Sequence, residues 1–246
     1  MNERLDFFRE RSYQNRFVWF RQNHYLPQIY RTLSDWEFEV LVKFFLETEE
    51  KNYIGEASIP IMSEMIGFID GSGLDGVIQL GHYAGWSTLM LGWALRRMEK
   101  KHSLFSIDID VEVTAFAQKF IGLAGLEDYV RLTVGDSADP DMLGLAIPWI
   151  DQQPNLIFID SSHQYAHTLR ELNLWYPHLQ KGGLMFLHDI STYAKSFDTT
   201  EEGGVHDALE EWTQTEELNV ILLNGDTTID HHLIRQDGCG AGIIQK

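Results

Sequence analysis

The chain has 246 residues, 44% of them hydrophobic, and a formal net charge of −18. That length suits one substantial core with an appendage, and the charge argues against nucleic acid and anionic membrane surfaces, both of which call for basic patches. A single cysteine, Cys239, excludes an internal disulfide framework and, with no apolar run near the ~20 residues of a membrane span and a charged rather than leader-like start, sets a cytoplasmic expectation.

Arginines and aromatics alternate densely from Arg4 to Arg31, a composition suited to helices packed on another surface. Ser34-Asp-Trp-Glu37 is a capping box. It predicts a helix through about Glu47, with Trp36, Val40, Leu41 and Phe44 or Phe45 on one face. Residues 1–50 therefore read as a helical extension or cap, and residues 51–246 as the main domain. A substrate lid and a plain packing extension both fit, as does a dimer contact.

From Ile59 the pattern is regular. Pro60 suits the first turn of a helix through Ile69, and a strand follows at 76–80. A helix over about 87–100 ends in cations, as the macrodipole favours. A second strand, Leu104–Ile107, ends at Asp108. The helix over about 111–124 stops at Gly125, a C′ glycine. A third strand, Tyr129–Val134, precedes Asp136-Ser137, with Asp139 as a helix N-cap. A fourth, Asn155–Ile159, ends at Asp160. A helix over about 164–179 leads to a fifth strand, 184–187, ending at His188-Asp189. The tail predicts a helix at 205–217 and strands at 219–223 and near 240–245, joined by a short connection. The expected architecture is α/β: a Rossmann-like parallel sheet with helices on both faces and an antiparallel C-terminal edge pair.

The segment from Val77 to Leu91 is a buried strand turning sharply into a helix, with glycines at Gly81 and Gly85 where the backbone passes close to something. Its Gly-x-x-x-Gly spacing differs from the dinucleotide fingerprint, whose middle glycine admits a pyrophosphate; the counterpart here is Tyr83. A nucleoside ligand without phosphates, such as S-adenosylmethionine, fits better. Gly81, Asp108, Asp136-Ser137, Asp160 and His188-Asp189 end successive strands, so a parallel sheet brings them to one edge, where such folds bind ligands.

On these residues the chain resembles the class I S-adenosylmethionine-dependent methyltransferases. Within them it is similar to metal-dependent small-molecule O-methyltransferases of the catechol type and of antibiotic-sugar pathways, over about residues 55–246. The resemblance implies that Gly81, His82, Tyr83, Gly85 and Ser87 surround the methionine part of the cofactor and that Asp136 and Ser137 contact adenine. Asp108 supplies the bidentate acceptor that two ribose hydroxyls require, while Asp110 reads as a helix cap. Asp160 and Asp189 offer carboxylates to a divalent ion such as magnesium. His188 replaces the first member of the family's acidic pair, and Ile190 stands where catechol-type enzymes have asparagine. An imidazole ligand suits manganese, iron or zinc better.

His163, in Asp160-Ser-Ser-His163, matches the proposed base of the sugar-modifying enzymes and suits proton removal near neutral pH. His163 and His167 are also spaced as an i, i+4 metal pair; His231-His232 receives no role. The expected function is methyl transfer to a hydroxyl of a small-molecule acceptor, assisted by a metal. The alternatives are a metal-independent N- or O-methyltransferase using His163 alone, or a binding protein without turnover. Trp149, Trp175, Tyr193 and Trp212 are candidates for an aromatic acceptor pocket, and the loop from about Ser191 to Gly204 for its acceptor-facing edge.

Overall fold

A computed structural model describes residues 2–214, 218–228 and 233–246. Its N-terminal part holds α1 (Asn2–Glu10), α2 (Val18–Asn23), α3 (Gln28–Arg31) and α4 (Asp35–Lys51). There follow α5 (Ile59–Ser72), β1 (Val77–Leu80), α6 (Trp86–Arg97), β2 (Leu104–Asp108), α7 (Val111–Leu123), β3 (Val130–Val134), α8 (Asp141–Ile150) and β4 (Leu156–Ile159). The remainder is α9 (Tyr165–Trp175), β5 (Leu184–His188), α10 (Gly204–Thr213), β6 (Asn219–Leu223) and β7 (Ala241–Gln245).

The strands make one sheet in the order β3-β2-β1-β4-β5-β7-β6. β1 to β5 are parallel, and β7 runs antiparallel between β5 and β6. Strand order reverses on either side of β1, so a crevice opens above β1 and β4 at their carboxyl ends. Both faces of the central strands are covered, which is why β1 and β4 read as nearly continuous apolar runs. Val77, Leu104 and Phe158 pack with α5, α6 and α7 on one face. Ile78, Ile107 and Ile159 pack with α8, α9 and α10 on the other.

The N-terminal helices join the first of these cores. Phe8, Phe17, Trp19 and Tyr30 are buried with Phe44 and Phe45 in the cluster that contains Met62 and Phe120, and Phe8 stacks on Tyr30 with ring centroids 5.3 Å apart. The capping box forms: Glu37 N donates to Ser34 Oγ at 3.2 Å, and Ser34 N donates to Glu37 Oε2 at 2.6 Å. The same buried Glu37 accepts from Arg96 at 2.5 Å and Arg97 at 2.9 Å, tying the extension to the cationic end of α6. Trp36 departs from the expected apolar face. It is 47% exposed and lies over the Arg96 guanidinium at 5.4 Å, a cation–π contact that holds it outside the core.

The element limits differ from expectation where side chains compete with periodicity. The helix expected to reach 179 breaks at Trp175 into a 3-10 turn with Pro177 in its first turn, as proline's missing N–H requires. α8 was not singled out by the sequence pattern because Gly144 and Pro148 interrupt it. At its start Asp141 N donates to Asp139 Oδ1 at 2.9 Å, but the N-cap position falls on Pro140 rather than on the expected Asp139. Positions 215–217 of the expected tail helix, and His231-His232, lie outside the described residues.

Candidate active site

The turn after β1 is shaped by close backbone approach. Gly81 has φ +84°, and a Cβ there would lie 2.2 Å from the carbonyl oxygen of Asp160; Gly85, at φ +96°, would meet Ala117 Cβ at 2.8 Å. Both glycines are therefore explained by contacts within the protein, between β1 and β4 and between α6 and α7. A buried network fixes the turn. Gln79 Nε2 donates to Ser87 Oγ at 2.7 Å, and Thr88 and Ser106 donate to Gln79 Oε1 at 2.9 and 3.2 Å.

His82 presents less of its side chain than the motif suggests. Its ring is buried between Ser106 and Thr114, with each nitrogen 3.0 Å from a hydroxyl. Burial outweighs the nearby Asp108 carboxylate and lowers the His82 pKa to about 4, so the ring is neutral at pH 7. Its backbone does the orienting: His82 N and Tyr83 N donate to Asp108 Oδ2 at 3.0 and 2.8 Å, and Asp110 N donates to Oδ1 at 3.0 Å. Three amides thus aim the Asp108 carboxylate. Asp110 caps α7 by accepting from Glu112 N and Val113 N.

Two adjoining cavities open along this edge. The larger, about 410 Å³, is lined by Gly81, Tyr83, Ser87, Asp108, Asp160 and His163 among others. The smaller, about 290 Å³, shares Gly81, Asp108 and Ser161 with it and adds Asp136, Ser137 and His167. The α4–α5 linker, Tyr53 to Ala57, also walls the larger cavity, a contribution the sequence reading missed. Gly55 was the available signal: a Cβ there would press on the Tyr83 ring at 3.1 Å.

Beneath the smaller cavity lies Glu171, fully buried on α9 and likewise unforeseen. Ser137 Oγ and Ser161 Oγ donate to its Oε1, the latter at 2.6 Å, and His167 Nε2 lies 3.3 Å from the same oxygen. The Ser137 carbonyl accepts from Trp175 Nε1 at 2.7 Å. His167 is thus held by Ser137 and Glu171, and no metal-capable group among the described residues joins it to His163.

Asp160, His163 and Asp189 converge at the other end, their ligand atoms all within 4.8 Å of one another. His163 Nε2 is 3.1 Å from Asp189 Oδ2, and that hydrogen bond raises the His163 pKa above its ordinary value. His188 borders that cluster and belongs to a second group, with Asp237 and Cys239, whose ligand atoms also lie within 4.8 Å of one another. Nδ1 of its buried ring lies 3.3 Å from Asp160 and 3.4 Å from Asp189, while Nε2 lies 3.3 Å from Asp237. Burial opposes a charge on His188, yet Asp189, Asp237 and Asp160 together outweigh it and raise its pKa well above the usual histidine value.

Against the cost of burial, His188 and His163 hold Asp189 below the usual carboxylate range. Asp189 also adopts φ +60°, a strained conformation of the kind that clusters at functional sites. Ile190 is buried in the core and offers no ligand atom. Arg235 continues the chain of charges, donating to Asp237 at 2.8 Å and to both Glu64 oxygens at 2.8 and 2.7 Å.

Residues 78–190, which span this strand-end series, match a family model described as a methyltransferase domain. The chain carries a methyltransferase domain. Its sequence is 33% identical over 106 residues to a human transmembrane O-methyltransferase, covering 42% of this chain and 33% of that protein. The match thus spans about a third of that relative's length. The fold of the methyltransferase domain is shared with an O-methyltransferase from Bacillus cereus solved with SAH: TM-score 0.64, 16% identity, 87% of this chain and 93% of that one. It is shared equally with an SAH-bound methyltransferase from Podospora anserina: TM-score 0.63, 15% identity, 94% and 96% coverage. No helix among the described residues is long and apolar enough to cross a membrane.

The aromatic residues expected around an acceptor do not line either cavity of the methyltransferase domain. Trp175 and Trp212 are buried in the core of the second face, and Trp149 packs on His102 with centroids 4.4 Å apart. Tyr193 is the exception in direction: it packs on Phe197 at 5.5 Å, and Phe197 on His163 at 5.6 Å. The loop after β5 therefore does border the His163 side.

Proposed function

We propose that this chain transfers the methyl group of S-adenosylmethionine to a hydroxyl of a small-molecule acceptor. The observation that carries the reading is the pair of adjoining cavities that meet at Gly81 and Asp108, with Asp160 and His163 on the wall of the larger. In this reading Asp108 accepts the ribose hydroxyls, and Asp136 and Ser137 border adenine. The Gly81–Ser87 turn, with His82 through its backbone alone, borders the methionine part. The acceptor lies between Asp160, His163 and the Tyr53–Ala57 linker.

The acceptor oxygen attacks the methyl carbon as the carbon–sulfur bond breaks, and His163 Nε2 takes the hydroxyl proton. Holding the reactants in line can contribute roughly 7–11 kcal/mol. The convergence of Asp160 and Asp189 fits a divalent ion, magnesium with carboxylates alone and manganese, iron or zinc if the neighbouring His188 imidazole joins them. Such an ion would supply Lewis-acid polarisation that lowers the hydroxyl pKa. One observation favours a metal-free variant: His188 already sets a cationic ring among Asp160, Asp189 and Asp237.

The reading extends to a cytoplasmic site of action, supported by the lone Cys239, and to a homodimer through the aromatic N-terminal helices. The test is transfer of labelled methyl from S-adenosylmethionine to a panel of catechols, hydroxylated sugars and amines, with magnesium and with EDTA. Methyl ethers that disappear with EDTA and with Asp160→Asn support the metal-assisted form. Ethers that persist under chelation favour the metal-free form. Methylation confined to nitrogen acceptors would overturn the hydroxyl assignment.

A further inference from the structure

Behind Asp160 and Asp189, the far side of the His188 ring faces the loop from Arg235 to Gly240 that precedes β7. β5 and β7 are antiparallel neighbours with His188 opposite Ala241, so the residues just ahead of β7 return to the end of β5. Three groups able to hold a metal meet there, His188, Asp237 and Cys239, with ligand atoms all within 4.8 Å of one another. His188 and Asp237 are buried, while Cys239 is only partly so and gives an entering ion its first ligand.

The spacing suits a tetrahedral ion. Imidazole and carboxylate ligands about 2.0–2.2 Å from zinc stand roughly 3.3–3.6 Å apart at tetrahedral angles. His188 Nε2 and Asp237 Oδ1 are 3.3 Å apart. The other ring nitrogen, Nδ1, lies 3.3 Å from Asp160 and 3.4 Å from Asp189, and a zinc-bound imidazole ordinarily keeps such a carboxylate partner. Arg235 donates to the second Asp237 oxygen, Oδ2, at 2.8 Å, which leaves Oδ1 for an ion. The charge of Arg235 is met in turn by both oxygens of Glu64.

The loop is also held in place by bonds that no ion needs to supply. Ser191 N donates to the Cys239 carbonyl at 2.8 Å and Ser191 Oγ to the Gly238 carbonyl at 2.7 Å. Asn224 Nδ2 donates to the Arg235 and Asp237 carbonyls at 2.9 and 2.8 Å. Ligands on a fixed backbone lose little freedom on binding. A thiolate selects zinc over magnesium, and a divalent ion with one thiolate and one carboxylate is net neutral, which removes the main cost of burying it.

We infer that His188 Nε2, Asp237 and Cys239 form a zinc site, separate from the Asp160–Asp189 pair, with water in its fourth position. Binding sends the Cys239 thiol proton, and any proton on Nε2, to solvent and fastens the C-terminal loop to β5. The site rests on its ligand set and stands whether or not the chain transfers methyl groups.

The test is titration of the full chain, kept reduced with a phosphine, with cobalt(II) as the spectroscopic stand-in for zinc. One equivalent should produce the near-ultraviolet thiolate-to-cobalt band and the intense visible bands of a tetrahedral site, and zinc should bleach both. Asp160→Asn keeps an acceptor for His188 Nδ1 and should retain both bands at saturating cobalt. Cys239→Ala should lose the thiolate band and weaken zinc binding beyond the 10–100-fold that an outer-shell change costs. Should that variant fail to fold, the wild-type thiol reports the same contact: zinc should slow its reaction with a disulfide reagent and magnesium should not. No thiolate band in the wild type at excess cobalt would overturn the site. Loss of the band in folded Asp160→Asn would overturn it too, by making Cys239 a ligand of the Asp160–Asp189 pair.

Discussion

Asp108 shows how the fold aims one side chain. Three amides hold it, leaving its remaining lone pairs toward both cavities. Asp108→Ala removes a charged acceptor and the anchor of the β1 turn, and calorimetry should show S-adenosylmethionine binding weakened roughly 10- to 100-fold, the range for one or two hydrogen bonds to a charged group. His163 carries a second prediction. Its pKa is raised by the hydrogen bond to Asp189, so the imidazole is a free base only above its ordinary value of 6.5. The methylation rate should climb as pH rises through that raised value, and His163→Gln should flatten this limb of the pH–rate profile and lower the plateau by roughly 10²-fold or more, a usual share for general-base catalysis. An unchanged limb in the variant would remove His163 from the proton path.

At the scale of elements, the β1–turn–α6 unit is the tightest constraint. Gly81→Ala would set a methyl group 2.2 Å from the Asp160 carbonyl at φ +84°, so neither backbone can yield without moving β4. Urea unfolding should show a loss of roughly 3 kcal/mol or more, the size reserved for strain at a special backbone site; a loss under about 0.5 kcal/mol would mean that the strand ends do not meet as described. The strands, the capping box and this turn were legible in the sequence because local patterns specify them. The acidic strand ends were legible as a set because parallel connectivity fixes which ends share an edge. Glu171, Asp237 and the Tyr53–Ala57 linker were not, since each reaches the site through packing between elements distant in sequence. The company of His188 was hidden for the same reason: Asp237 meets its far nitrogen from 49 residues away. Trp36 escaped its helical stripe because Arg96, on another helix, holds it at the surface.

For the whole molecule, the two covered faces of the sheet and the N-terminal helices form the body on which the carboxyl edge is built, and buried His82 makes that body sensitive to acid. His82 is neutral in the fold because burial lowers its pKa to about 4, whereas in the unfolded chain it takes a proton near 6.5. The unfolded state therefore binds more protons between these values, and stability falls as pH drops through that window. The full effect is on the order of 3 kcal/mol. Chemical denaturation at pH 7.0 and 4.5 should show it, and His82→Gln should reduce the difference.

The proposed methyl transfer requires an adenosyl site at the edge where Gly81, Asp108 and Asp136 meet. Isothermal titration of the folded chain with S-adenosylmethionine tests this most directly. Saturable binding at one site per chain, competed by S-adenosylhomocysteine, is the expected result. A folded sample that gives no binding heat with either compound, and no shift in melting temperature, would contradict it.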